Sequence, residues 1–487
     1  MADPTSEYVA VVAIDFGTTY SGFAFSFNDK RGEAGIHMNR EWGNEEGRGT
    51  LKSPTSILLK PNKEFDSFGY DADDKYVHFE RGEEKEYYYL RHFKMKLHKT
   101  KNLDRTTQLT AANHKNVNAL DVFSLSIKYM KDEAVKSIRS STGDKNYGAK
   151  DIQWVLTVPA IWTPAAKQFM REAAYKAGIA SPDNKDQLII ALEPEGAAIF
   201  CRERKMEDFT DQTGDACIYD VVYRPGLRYL MMDIGGGTLD VTAHDILADG
   251  TITEIYQVTG GAYGGIYVDK NFVSLLENLF GSPTVKEFRI KNPADWLRMM
   301  NDFEMKKRGR RAFDDKTTRI VLPRKFIEMI DSIKDLTKRL KKSCNLHDVE
   351  ILNNEYLCLG PKTMKELFDP IVNGIVSHMK GLFDRPALKN VSCLFMVGGF
   401  AESVILQEAI KTAFIPTCKV LTPNYAGIAV VQGATMFGQK PNIIKSRVMA
   451  TTYGFAVHQN LILRSTTLAK SILSKAKLCV KIFLLSL

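Results

Sequence analysis

The sequence predicts an α/β protein made of two similar halves, and three observations predict it. Strand-like and helix-like hydrophobic patterns alternate along the chain, as expected for sheets covered by helices. A short motif, an apolar strand ending in Asp and followed by Gly and Thr, occurs twice, its aspartates 218 positions apart. The chain has 487 residues, too many for one compact core, so two or three sub-domains are expected.

The elements follow in order. Val9 to Ile14 is an apolar run of strand length, Phe23 to Phe27 alternates as a second strand, and Ser56 to Leu59 reads as a third. Val122 to Arg139 places Phe123, Ile127, Met130, Val135 and Ile138 at helical spacing. Trp154 to Val158 is a buried strand closed by Pro159, and Lys167 to Gly178 is a helix with a glycine stop. Tyr229 to Asp233 is a further buried strand, followed by a glycine-rich turn and the strand Leu239 to Ile246. Asp295 to Arg311 reads as a charged helix, Leu394 to Val397 as a strand ending in Gly-Gly, and Gly427 to Phe437 as a helix rich in small residues.

Composition excludes several classes. The N-terminus carries acids where a signal peptide carries basic residues, and no run reaches the roughly 18 apolar residues of a membrane span. Seven cysteines without CxxC spacing indicate neither a disulfide framework nor a zinc site, and they fit a reducing, cytoplasmic setting. The net charge of +8 suggests nucleic-acid binding until it is located: residues 441–487 hold seven Lys or Arg and no acid, leaving the rest nearly neutral. A balanced body with a basic tail is not a basic groove, and no nucleic-acid partner is expected.

The repeated motif carries the chemistry. A buried strand fixes the Asp at its end, and the glycines beyond it let the backbone turn tightly against a ligand. Successive N–H groups in such turns form an anion nest, and threonine hydroxyls add donors. Two such hairpins facing each other would grip a polyphosphate, and Asp15 and Asp233 would hold a hydrated Mg²⁺. No GxxxxGK[ST] loop occurs, and Gly235-Gly236-Gly237 does not continue as GxGxxG.

Asp15-Phe16-Gly17-Thr18-Thr19-Tyr20-Ser21 resembles the first phosphate loop of the 70-kilodalton heat-shock proteins. Asp233-Ile234-Gly235-Gly236-Gly237-Thr238-Leu239-Asp240 resembles their second. Val158-Pro159-Ala160, Leu192-Glu193-Pro194-Glu195, Gly264-Gly265, Glu304-Met305-Lys306-Lys307-Arg308 and Val397-Gly398-Gly399 match further family segments in the same order. Phe93-Lys94-Met95-Lys96-Leu97 and Ala166-Lys167-Gln168-Phe169-Met170-Arg171 are similar to the divergent 12A/12B branch.

The resemblance implies the two-lobed nucleotide-binding fold shared by actin, hexokinase and the heat-shock ATPases. Lobe I would span 8–228 with a returning helix at 427–440, lobe II would span 229–420, and 441–487 would form a tail. It implies ATP or ADP with Mg²⁺ as ligands. Gly17, Thr18, Thr19 and Tyr20 would contact the β- and γ-phosphates, and Gly235, Gly236, Gly237 and Thr238 would close the second loop. Lys94 would stand at the γ-phosphate and Glu193 would order water at the metal. Gly264 and Gly265 would sit near the nucleotide, Glu304, Lys307 and Arg308 would line the adenosine pocket, and Gly398 and Gly399 would pass under the nucleoside.

Two departures stand out. Phe400-Ala401-Glu402 replaces a small polar residue and a stacking basic one, which touches adenine selectivity. Only 47 residues follow Lys440, fewer than the roughly 100 a β-sandwich needs, so a missing peptide-binding domain and no clasping of extended peptides are expected. A basic, apolar tail could also touch a membrane surface, a less favoured reading than an altered chain end. The resulting expectation is a slow Mg²⁺-dependent ATPase of molecular-chaperone type, linked to the stress response and served by co-chaperones. The alternatives are a nucleotide-gated interaction module without turnover and, less favoured, a small-molecule kinase.

Overall fold

In the computed structural model the described residues are 8–449, except 29–34, 40–41, 44–49, 81, 101, 205–208, 210–223, 312–314, 331–347 and 416, together with the backbone of 454–457 and 481–484. Two six-stranded sheets organise them. In the first, Ala10–Phe16 lies at the centre, parallel to Ile152–Val158 and antiparallel to Tyr20–Phe27; Leu188–Leu192 extends one side. In the second, Arg228–Ile234 takes the same place, parallel to Cys393–Val397 and antiparallel to Leu239–Ile246. Lys419–Leu421 and Ile252–Gly261 flank it, and Ile444–Ser446 adds an edge strand. The central strands are buried along their length except at Arg228, as continuous apolar runs inside covered sheets should be.

The two sheets are thus the same construction used twice, and each hairpin turn falls at the C-terminal end of its central strand. Between the sheets lie the helices Glu193–Arg202 and Ala429–Gln439, which share a core with Val11, Val155, Met231 and Phe395. They cross at glycines, where a Cβ on Gly433 would stand 1.7 Å from the Gly196 carbonyl oxygen; Gly438 seats the second helix on the first sheet, where a Cβ would stand 2.4 Å from Val11. Small residues at this seam let the backbones meet, which is the reason for the Gly- and Ala-rich composition of 427–437.

Helix ends follow local chemistry. Ala119–Thr142 starts at Asn118, whose side chain accepts from the Asp121 N–H, and stops at Gly143 with φ 71°. Pro164–Lys176 starts earlier than Lys167 because Thr163 caps it and Pro164 fits the first turn. Pro293–Arg308 begins and ends slightly before the expected Asp295–Arg311, and Ala429–Gln439 is preceded by a 3₁₀ turn at Ala426–Ile428. The longest helix of the second half, Pro361–Phe383, has an interior proline at 370 that masks its pattern in the sequence. Among the described residues no helix is long and apolar enough to cross a membrane. Most of the expected tail lies outside the described residues; within it Gly454–Val457 pairs antiparallel with Lys481–Leu484.

Candidate functional site

The ends of the two central strands open into one cleft of about 290 Å³. The first loop is braced from below: Thr55 donates its N–H to Thr19 O (2.7 Å) and its hydroxyl to Gly17 O (2.9 Å). A Cβ at Gly17 would fall 2.1 Å from Tyr20 O, so only glycine makes this turn. The second loop closes on itself through Gly235 N–H to Thr238 O at 3.0 Å. The loops face each other closely: a Cβ on Gly236 would stand 2.3 Å from Thr19 Oγ1, and one on Gly237 would stand 2.7 Å from Thr18 Oγ1.

Four predicted acid and base groups converge on the cleft: Asp15, Lys94, Glu193 and Asp233. Lys94 donates to Glu193 Oε1 at 2.7 Å, with its ammonium 5.3 Å from the Trp162 ring centre. Asp15 accepts from Lys52 Nζ at 2.5 Å and from Thr157 Oγ1 at 3.0 Å. Burial opposes the Asp15 charge, but Lys52 and Lys94 outweigh it and hold the carboxyl below its ordinary range. Burial, followed by the nearby Asp15 and Asp240 charges against the pull of Lys94, raises Glu193 to about 7. Asp233 is pushed well up by burial and by Glu193, Asp240 and Asp15, and among the described residues no cation pairs with it.

This excess of carboxylates is the observation that tests for a cation. Among the described residues no three acidic, His or Cys side chains stand close enough to hold a metal directly. The donor set therefore fits a hydrated Mg²⁺ contacted through waters, and its charge would relieve the repulsion that raises Asp233.

The other predicted residues divide into two groups. Gly17, Thr18, Thr19, Tyr20, Gly235, Gly236, Gly237, Thr238, Arg308, Gly398 and Gly399 line the cleft. Gly398, with φ 92°, packs so closely on Asp233 that a Cβ would stand 2.5 Å from its Oδ1. Gly264, Gly265, Glu304 and Lys307 do not line it. Gly264 and Gly265 donate to the carbonyls of Gly237 (3.3 Å) and Gly235 (3.2 Å), buttressing the second loop from behind. Lys307 is buried and pairs with Asp269 (2.6 Å) and with Glu304, which itself lines an adjoining cavity of about 790 Å³ together with Thr19. Desolvation forces that pairing: a buried ammonium this enclosed takes whatever carboxylates its helix and its neighbour offer.

Sequence reasoning missed Lys52, Tyr70 and Tyr425, and marked Glu402 only as a departure; all four also line the cleft. Lys52 belongs to no motif, and only folding brings it to Asp15. Asp240 was quoted within the second motif without a role; it is buried and accepts from the Ile161 N–H at 2.9 Å.

No family model matches the chain. Curated relatives do. The chain is 40% identical over 502 residues to heat shock 70 kDa protein 12A of Mus musculus, covering 94% of this chain and 74% of that protein. It is 36% identical over 500 residues to heat shock 70 kDa protein 12B of Homo sapiens, covering 94% and 72%. A bacterial chaperone protein HscA homolog from Rickettsia prowazekii is 21% identical over 337 residues, covering 69% and 43%. With two hairpins facing across one cleft and relatives matched over nearly the whole chain, the protein belongs to the heat-shock 70 kDa family, in its 12A/12B branch.

Proposed function

We propose that the cleft binds ATP with Mg²⁺ and hydrolyses it slowly, as a cytoplasmic ATPase of chaperone type served by co-chaperones. The observation that carries this reading is the pairing of two glycine hairpins, each ending a buried strand in Asp, around the Lys94–Glu193 pair. The lobes that close on the ligand would be 8–228 with 427–440, and 229–420.

The residues divide the labour. The two loops supply backbone donors on both sides of a polyphosphate, held rigid by Thr55 and by Gly264-Gly265. Asp15 and Asp233 hold the water shell of the cation, and Mg²⁺, when bound, supplies charge neutralisation on the phosphates. Lys94 is held at the cleft by Glu193 and by the Trp162 face, where it stabilises charge on the transferring phosphoryl group. Glu193, raised to about 7, is poised to take a proton from the attacking water near neutral pH. A second reading, a nucleotide-gated module without turnover, draws support from Lys52, which occupies Asp15 at 2.5 Å. A single-turnover assay with radiolabelled ATP separates them. Mg²⁺-dependent release of phosphate supports the ATPase; saturable binding with no release supports the module.

A further inference from the structure

The rim of the cleft holds two side chains that the phosphate chemistry does not use. Tyr425 lines the cleft yet is 72% exposed, an unusual state for a large aromatic side chain beside a pocket. Its backbone is left-handed, φ 60° and ψ 42°, a conformation that costs a non-glycine residue energy and collects at functional sites. That strain turns the chain sharply into the Ala426–Ile428 turn, and the Tyr425 carbonyl accepts from Ile428 N at 3.0 Å. The same turn brings the Gly427 N–H to Glu402 Oε1 at 2.9 Å. A Cβ on Gly427 would stand 2.9 Å from that oxygen, so the glycine makes room for the carboxylate. Oε2 of Glu402 has no hydrogen bond or ion pair among the described residues.

A fixed carboxylate at this rim repels phosphate. The parts of a bound nucleotide that can donate to it are the ribose hydroxyls and the N–H groups of the base, and with an aromatic face alongside, the base is the better match. An aromatic face beside it offers stacking, which tolerates any base. The two purines differ in what they show a carboxylate. Guanine carries N1–H and the 2-amino group side by side, two donors matched to two oxygens. Adenine offers one amino group next to N1, a lone pair that faces a carboxylate unfavourably. Charge-assisted paired hydrogen bonds are the strong and discriminating kind.

We propose that Glu402 and Tyr425 form the base-recognition pair of this cleft, Tyr425 stacking on the base and Glu402 accepting from its donor edge, so that the site takes guanine nucleotides at least as readily as ATP. The inference rests on the nucleotide reading above and sharpens it. Ligand choice at the base is set by Glu402, while the loops and acids that grip the phosphates serve either purine.

The test is titration of the full chain with ribose-labelled fluorescent ATP and GTP in Mg²⁺, for wild type, Glu402→Ala, Tyr425→Ala and Tyr425→Phe. Wild type is expected to bind GTP with a Kd equal to or below that for ATP. Glu402→Ala should weaken GTP on the order of tenfold and ATP by less than about threefold, shifting the preference toward ATP. Tyr425→Ala should weaken both about tenfold, and Tyr425→Phe should recover most of that loss. A wild type that prefers ATP tenfold, with a ratio that Glu402→Ala does not move, overturns the proposal and leaves the nucleotide reading standing. Binding of neither nucleotide at millimolar concentration overturns both.

Discussion

The two hairpins share a motif and a place in their sheets, and they differ in electrostatics. Asp15 has a lysine and a threonine hydroxyl as partners and is held below the ordinary carboxylate range. Asp233 has no ion-pair partner among the described residues, and burial with the charges of Glu193, Asp240 and Asp15 outweighs the pull of Lys52 and holds it well above that range. The local sequence does not set this difference. The parallel neighbour of the first strand brings Thr157, and an irregular segment brings Lys52. The parallel neighbour of the second brings Val397 and then Gly398. Similar turns therefore make unequal ends of one cleft: Asp15 is paired within the protein, and Asp233 is the carboxylate whose partner the proposed Mg²⁺ would supply.

The largest effects should come from breaking the symmetry the hairpins do share. Gly236→Val would drive a branched side chain into Thr19, whose Oγ1 is already 2.3 Å from the position of a Cβ. The expected result is loss of ATP binding by calorimetry, with circular dichroism unchanged. Wild-type affinity in that variant would dissolve the two-loop cleft.

Next comes the pair that spans the halves of the chemistry. Lys94→Ala should lower single-turnover hydrolysis on the order of a hundredfold while ATP affinity changes little. Equal losses in both would make Lys94 a ground-state phosphate contact instead.

The comparison itself is sharpened by stability without ligand. Asp15→Asn strips a half-buried lysine of its carboxylate and should cost about 1–3 kcal/mol in denaturant unfolding. Asp233→Asn removes a carboxyl that its neighbours disfavour and should be neutral or stabilising. Both should impair Mg²⁺-dependent binding. Equal apo destabilisation by the two substitutions would show that the electrostatic asymmetry is absent.

How much of this was legible in the sequence follows from range. Each hairpin is local: an apolar run, an Asp, then glycines, readable within ten residues, and the family resemblance placed Lys94 and Glu193 as well. The brace of Thr55, the Lys52–Asp15 pair and the glycine seam between Gly196 and Gly433 depend on chain segments far apart in sequence. Glu304 and Lys307 were read as pocket lining because the family resemblance implies that place for them. Their spacing of three residues on that helix, with Asp269 across from them, pairs them with each other beside the cleft, a contact that the segment's match alone does not show. Glu402 was recognised as a departure, but its bond to the Gly427 N–H required the turn that Tyr425 makes.

The last effect, spread over several pH units, is on pH dependence. The Glu193 carboxyl rises from an ordinary 4.5 to about 7 on folding, so the native state binds the extra proton. Its contribution is present at acid pH and is lost as pH rises from about 4.5 to about 7, by at most about 1.4 kcal/mol per pH unit. Asp15, lowered, has the opposite sign: its contribution is lost as pH falls below the ordinary aspartate value of 3.8. Glu254, raised to about 7 chiefly by burial, adds a slope of the same sign as Glu193. Urea midpoints across this range for wild type and Glu193→Gln isolate the Glu193 part, and an unchanged slope in the variant would refute it.

The central claim is that two facing hairpins and their unequal aspartates make one Mg²⁺-dependent nucleotide site. Calorimetric titration of the whole chain with ATP, first with Mg²⁺ and then with EDTA, tests it most directly. The account predicts one saturable site per chain whose affinity falls at least about tenfold when the cation is removed, because Asp233 then faces the phosphates without its counter-charge. Absence of saturable binding, or affinity indifferent to Mg²⁺, would contradict it.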